Sequence, residues 1–384
     1  NIMYKRTKIP ESVFLIVTGI IVGPVLHLID GQFFMDNASF LMNIALIVIL
    51  LDSGLTINFS RIVKNVPLAF LFTIIVMMTT AALIAAITHL FFGWPWINGI
   101  FLGILGSGTE LITVSHLIDK LKIGENTKSL LVLESVLNDI TLISAITIFL
   151  SIVTLQAAET PVLRIVIDKL FISAIIGLFF AMGWIYTFLT HIHNNPLGYV
   201  FTLGGAFFLY SFTELTKFNG AIAVITFAIC LGNYPSLLTL MKNPSKFEPV
   251  EKDIVIVRDM NSQISFIIRT LFFVFLGLVF DFNAIRIEVI IFVIIISIVE
   301  ILSRYMSARA IAFIKPEFKE SVPIITAIVA SGFTSVLLTF IALDAGIEIP
   351  YLREIVLLLV MITTLWAIII SVLLQNHYKD RQTF

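Results

Sequence analysis

The sequence predicts an all-α polytopic membrane protein with about 12 spans, and three observations carry that prediction. Apolar residues make up 59% of the 384 and charged residues only 13%, against about 25% charged in soluble domains. Mean hydropathy is +1.05, and apolar runs long enough to cross a bilayer recur along the chain. No segment shows the short alternating strands of a transmembrane barrel. The single cysteine, Cys230, excludes an internal disulfide and any cysteine-based metal or redox site. No soluble domain or secretory signal is visible, and no nucleic-acid partner is expected.

The predicted spans, in order, are 11–29, 37–56, 66–92, 96–119, 127–155, 163–190, 197–214, 218–233, 259–281, 287–305, 321–342 and 351–375. The first closes on Gly23-Pro24 and the second carries Asp52 near its end. Between the third and fourth, Phe91, Phe92, Trp94 and Trp96 form an interfacial aromatic cluster. The fourth is interrupted by Gly106-Ser107-Gly108-Thr109-Glu110, and the eleventh by Ala330-Ser331-Gly332-Phe333-Thr334-Ser335. Glycine with Ser and Thr loosens a helix and frees backbone groups. Two such breaks in matching places of two halves point to a transporter's ion site. Small-residue helix contacts would read similarly; beside Asp139 the broken-helix reading is preferred. The longest loop, 241–257, carries Lys242, Lys246 and Lys252 and reads as a cytoplasmic hinge.

Basic residues sort by side. One side collects 18 of the 24 Lys and Arg, among them Lys5, Arg61, Lys120, Lys128, Lys242, Arg304, Arg309 and Lys379. The other holds Arg164, Lys169, Lys217, Arg286 and Arg353, with Arg269 inside a span. The positive-inside bias makes the richer side cytoplasmic, and the C-terminus of this chain with it.

The chemistry centres on Glu134-Ser135-Val-Leu-Asn138-Asp139, inside the fifth span. Asp139 lies about 14 Å past Leu130 along a helix, near the bilayer midplane. Glu134 with Asn138, and Ser135 with Asp139, are i,i+4 neighbours, so all four share a face. Ionisable groups at that depth point to function. A buried carboxylate binds a proton or a cation, but not both comfortably, so competition at Asp139 with alternating access is sufficient for exchange. Ser135, the Thr109 main chain and Asp52 are the other candidate oxygens. Glu110 is expected either to ligate the cation or to cap freed amides, and Asp52 to line the ion path or to be a solvated helix-end charge. Arg269, a buried guanidinium, is expected to pair with Glu134. Glu300 is expected to pair with Arg304 at i+4.

These residues resemble a family. Glu134-Ser135-x-x-Asn138-Asp139 is similar to the Glu-Ser-x-x-Asn-Asp helix of NhaP/NHE-like sodium/proton antiporters, within the monovalent cation:proton antiporter superfamily. Lys8-Ile-Pro10 through Gly23-Pro24, Leu51-Asp52-Ser-Gly-Leu55 and Phe272-Phe-Val-Phe-Leu-Gly277 resemble further family segments, so the likeness covers essentially the whole chain. The resemblance implies thirteen spans in two inverted repeats with crossed, interrupted helices, the first span preceding Asn1. It divides this single transporter domain, 1–384, into a first repeat (11–155), a linker span (163–190) and a second repeat (197–375). It implies that Asp139 is the exchanging carboxylate, that Ser135 and the Thr109 backbone are Na⁺ ligands and that Asn138 braces the crossing. It also implies electroneutral one-for-one exchange, a cell-membrane location, a role in pH homeostasis and a homodimer, with no cofactor. Two departures stand out: Thr109-Glu110-Leu111 replaces Thr-Asp-Pro, and Phe333 stands where the family carries an arginine, so Arg269 is expected to take over that role.

Rival readings are a K⁺/H⁺ antiporter or K⁺ efflux carrier of the same fold, with Li⁺ as another possible cargo. An intramembrane aspartyl protease would need a Gly-x-Gly-Asp pattern, which the chain lacks. A non-transporting sensor would tolerate loss of Asp139. A transporter, not an enzyme, is expected.

Overall fold

A computed structural model of the chain describes residues 11–29, 31, 37–57, 66–111, 114, 118, 123–154, 168–187, 197–234, 248–282, 286–329 and 331–380. Among them there are helices and turns and no strand. The helices are α1 (Glu11–Ile20, continued by a π-helical turn Ile21–Val25), α2 (Ala38–Thr56), α3 (Val66–Phe92), α4 (Trp96–Gly106) and α5 (Glu125–Thr154). Next come α6 (Ser173–Thr187, entered through a π-helical turn Asp168–Ile172), α7 (Gly198–Leu215), α8 (Gly220–Gly232) and α9 (Glu248–Leu278). The chain ends with α10 (Ile287–Ile314), a 3₁₀ segment Pro316–Ser321, α11 (Val322–Ala327), α12 (Phe333–Asp344) and α13 (Leu352–Asp380).

Each expected span contains a helix. Val66–Phe92, Glu125–Val153, Lys169–Thr187 and Ile254–Leu278 are individually long and apolar enough to cross a membrane. Three of them present large apolar side chains outward, as lipid contact requires: Met78, Phe91, Phe179 and Leu271 are all strongly exposed.

Two boundaries need correction. Helix α9 starts at Glu248, so the second half of the loop expected at 241–257 is helical, while 241–247 lies outside the described residues. Helix α10 runs nine residues past the expected end at 305, to Ile314, because Ser303 to Ile314 contains no helix breaker; Pro316 follows just beyond. Arg304, counted above with the cations of the richer side, therefore lies well inside the helix and not at its end. Lys5, Arg61, Lys120, Arg164 and Lys242, used in the charge sorting, and Lys246 of the expected loop lie outside the described residues.

The chain partitions into two compact units, Asn1–Ser39, Asn65–Leu142 and Thr270–Phe384 in the first, Phe40–Lys64 and Ile143–Arg269 in the second. In the first, α1 and the end of α9 approach to backbone contact: a Cβ on Gly19 would lie 2.1 Å from the Val274 carbonyl oxygen, and one on Gly277 2.1 Å from that of Ile16. Only glycine permits that approach. Helix α10 packs along α3, where Thr80 shares a hydrogen bond with Ser303 at 2.7 Å and Thr79 with Ser307 at 2.9 Å. Hydroxyl pairs of this kind satisfy polar groups where water is absent.

The second unit is tied by amide and hydroxyl groups. Asn233 donates to the Ile57 carbonyl at 2.7 Å, Tyr210 to Asn43 at 3.0 Å and Asn261 to the Val48 carbonyl at 3.2 Å. Its core holds the fully buried Ile49, Leu50, Leu51 and Phe227.

Candidate functional site

The site lies in the first unit and begins where α4 stops. After Gly106, Ser107 turns its hydroxyl onto the Ile104 carbonyl at 2.7 Å, and residues 108–110 leave the helix. That exposes backbone groups inside an apolar core, where each needs a partner. Asn138 of α5 supplies two: its Oδ1 accepts from Thr109 N–H at 3.0 Å and its Nδ2 donates to the Ser107 carbonyl at 3.0 Å. A side chain with one acceptor and one donor end is what bridging both sides of a break requires.

The second break falls between α11 and α12. Ser331 N–H donates to the Thr363 hydroxyl of α13 at 3.2 Å, and the Ser335 hydroxyl donates to the Leu105 carbonyl at the end of α4 at 2.7 Å. A Cβ on Gly108 would lie 2.2 Å from Ser335 Oγ, and one on Gly332 2.8 Å from Glu110 Cβ. The two interrupted segments therefore meet directly, and glycine at each break allows it.

Asp139 sits at this meeting point. It is buried, and its Oδ1 accepts from the Thr334 hydroxyl at 2.7 Å. Ser135 is fully buried one turn earlier, its hydroxyl donating to the Leu131 carbonyl at 3.0 Å, which leaves its oxygen lone pairs available. Thr334 was inside the segment flagged by composition but was not singled out; a hydroxyl opposite a mid-membrane carboxylate was the available signal.

Glu134 is wholly buried and paired with Arg304, not with Arg269 as expected. Arg304 Nη2 donates to Glu134 Oε2 at 2.9 Å and Nη1 to Oε1 at 3.1 Å, a two-point contact. Nε of Arg304 donates to the Ile325 carbonyl of α11 at 3.0 Å, and its guanidinium lies 5.5 Å from the Phe72 ring centroid. The Thr109 hydroxyl donates to Glu134 Oε1 at 3.0 Å and accepts from Arg304 at 3.3 Å. One guanidinium thus ties α5, both interrupted segments and α10 together. Arg304 of α10 thus holds Glu134, the place expected for Arg269. The expected span, 287–305, held Arg304 one residue from its end and gave it to Glu300; reading α10 to Ile314 places Arg304 well inside the helix, where it competes with Arg269 as the partner of Glu134.

The expected Glu300–Arg304 pair is not formed either, because the guanidinium is directed at Glu134. Arg269 and Asp52 belong to the second unit. There Asp52 Oδ1 accepts from the Ser262 hydroxyl at 2.6 Å, and Arg269 Nη2 stands 3.7 Å from Asp52 Oδ2. Asp139, Ser135, Asn138, Glu134, Thr109 and Glu110 are thus gathered in one unit, all buried. Asp52 is held by its own partners in the other.

This arrangement offers a carboxylate, hydroxyl oxygens and freed backbone in a water-poor core, with one nearby carboxylate already neutralised by arginine. Such a set is suited to a small hard cation or a proton, since alkali ions need oxygen donors and one local charge. Among solved structures, the chain is similar to that of the sodium proton antiporter MjNhaP1 from Methanocaldococcus jannaschii at pH 8, at 21% identity and a TM-score of 0.77, covering 98% of this chain and 92% of that one. It is also similar to the electron-microscopy structure of the same antiporter, at 21% identity and a TM-score of 0.72, with the same coverage. At that identity the likeness carries the fold alone, an all-helical one. The sequence model of the family described as sodium/hydrogen exchanger, transmembrane, matches residues 1–376. The chain therefore belongs to the transmembrane sodium/hydrogen exchanger family, whose members are cation/proton antiporters and not enzymes.

Proposed function

We propose that this chain exchanges one Na⁺ for one proton at Asp139 by alternating access. The observation that carries this reading is the position of Asp139: a buried carboxylate facing the Thr334 hydroxyl where two interrupted helices meet. Ser135 and the Thr109 main chain are the further cation ligands, and Glu110 and Asp52 are secondary candidates on the ion path. Because Arg304 neutralises Glu134, Asp139 is left to carry either the proton or the cation. Each leg of the cycle then moves the same charge, which makes exchange electroneutral. The partition into two compact units supports a mechanism in which access alternates. The protein works in the cell membrane as a homodimer, with the C-terminal end of this chain cytoplasmic, and serves pH homeostasis.

The test is cation-driven dequenching of a pH dye in sealed vesicles holding the protein, with Na⁺, Li⁺ and K⁺ compared. Wild type dequenches most with Na⁺, and Asp139→Asn abolishes the signal. A K⁺ response larger than the Na⁺ response would make it a potassium/proton antiporter of the same fold. Undiminished exchange by Asp139→Asn would remove Asp139 as the carrier.

A further inference from the structure

Glu300 is the buried charge that the exchange site leaves unexplained. It sits mid-way along α10, 2% exposed, and neither carboxyl oxygen has a hydrogen-bond partner among the described residues. Its Oε1 lies only 2.1 Å from where a Cβ on Gly106 would be, so the carboxyl rests against the last residue of α4. That is the negative end of a helix, which repels a carboxylate, and an unpaired buried charge is costly in any case. Geometry and burial both favour the neutral acid.

Its position relative to Arg304 adds the second element. The two are i,i+4 on one helix, close enough to pair, yet Arg304 is directed at Glu134, Thr109 and the Ile325 carbonyl. We propose that Glu300 is a positioning residue of the exchange site: as a neutral acid it leaves Arg304 to Glu134, and on losing its proton it draws Arg304 away and loosens the break at Thr109.

Beyond Arg304 and Glu134, the buried ionisable groups around the first break are Glu110, just after α4, and Asp139 of α5. Helix α3 carries only His89, near its far end and bonded to the Trp94 carbonyl. Helices α4 and α11 carry no titratable side chain. On α10 itself Glu288 lies in the first turn and Arg309 in the part leading to Ile314. The 3₁₀ segment after it holds Glu317, Lys319 and Glu320. On α13, Arg353 and Glu354 pair with each other in the first turn.

The consequence for transport rests on the Asp139 reading, so the test is made first in an Asp139→Asn background, where it does not depend on exchange. The infrared spectrum of that protein at neutral pH contains a protonated-carboxyl band that disappears when Glu300→Gln is added. On raising the pH toward the range where this band fades, the parent loses thermal stability, and the loss levels off once the band is gone, while the Glu300→Gln protein does not follow. With Asp139 restored, exchange by wild type falls about tenfold per pH unit once Glu300 ionises. This limb does not move with Na⁺ concentration, as a limb set by competition at Asp139 must, and Glu300→Gln removes it. Glu300→Leu is the second neutral variant should the first fail to fold. An unchanged carboxyl band, or parallel stability profiles with and without Glu300, would overturn the proposal.

Discussion

Among the described residues, each unit contains an arginine–carboxylate pair that joins helices remote in the chain, and the two pairs are built differently. In the first, Glu134 and Arg304 are 0% and 3% exposed and joined at two points, with Thr109 and the Ile325 carbonyl completing the guanidinium. In the second, Asp52 and Arg269 are 17% and 10% exposed and stand 3.7 Å apart, and Nε of Arg269 has no partner among the described residues. The first is an organising joint, since the same guanidinium holds the backbone of an interrupted helix. The second is a looser contact in which Asp52 already has a hydroxyl partner in Ser262. Burial and the number of bonds satisfied, not residue type, separate them.

That contrast is open to direct test. Arg304→Ala leaves Glu134 charged and buried without its counter-ion and is expected to cost about 3–5 kcal/mol, read as a large fall in the thermal unfolding midpoint of the detergent-purified protein. Exchange is lost with it. The double variant Glu134→Gln with Arg304→Met recovers much of the stability and not the exchange. If Arg304→Ala were no more harmful than Arg269→Ala, the comparison would collapse.

A smaller effect is expected from Asn138→Ala, which takes away both bonds that bridge the first break. Thr109 N–H and the Ser107 carbonyl are then unpaired, at about 1–3 kcal/mol in total if neighbouring groups relax toward them. Faster amide hydrogen exchange at 107–110 locates the damage; uniform loosening elsewhere would mean that Asn138 does not hold this break. The smallest effect is expected from Arg269→Ala, at about 1 kcal/mol or less, because the contact is long and Asp52 keeps Ser262. A midpoint shift matching that of Arg304→Ala would show that the longer contact does as much as the shorter one.

Much of this architecture was legible along the chain. Spans, breaks and the face shared by Glu134, Ser135, Asn138 and Asp139 depend on local matters: hydropathy over about 20 residues, glycine beside hydroxyl residues, and a helical period. The span at 287–305 was truncated for an equally local reason. Charges at Arg304 and Arg309 look like a membrane boundary when polarity alone is read, and that same reading hid the true partner of Glu134. Arg269 was preferred because it lay in the middle of an apolar run, where an unpaired guanidinium is hardest to tolerate.

By itself, then, the sequence determined the helical membrane class, the places where two helices break, and the carboxylate set inside an apolar run. Only the tertiary structure decided that Arg304 reaches Glu134 across 170 residues of sequence, that Thr334 faces Asp139, and that the Glu300 carboxyl has no hydrogen-bond partner among the described residues. The physical reason is reach. Periodicity places a side chain on a face of its own helix, but which partner satisfies it depends on distances of a few ångströms between segments remote in the chain, and on which buried donors and acceptors are already taken.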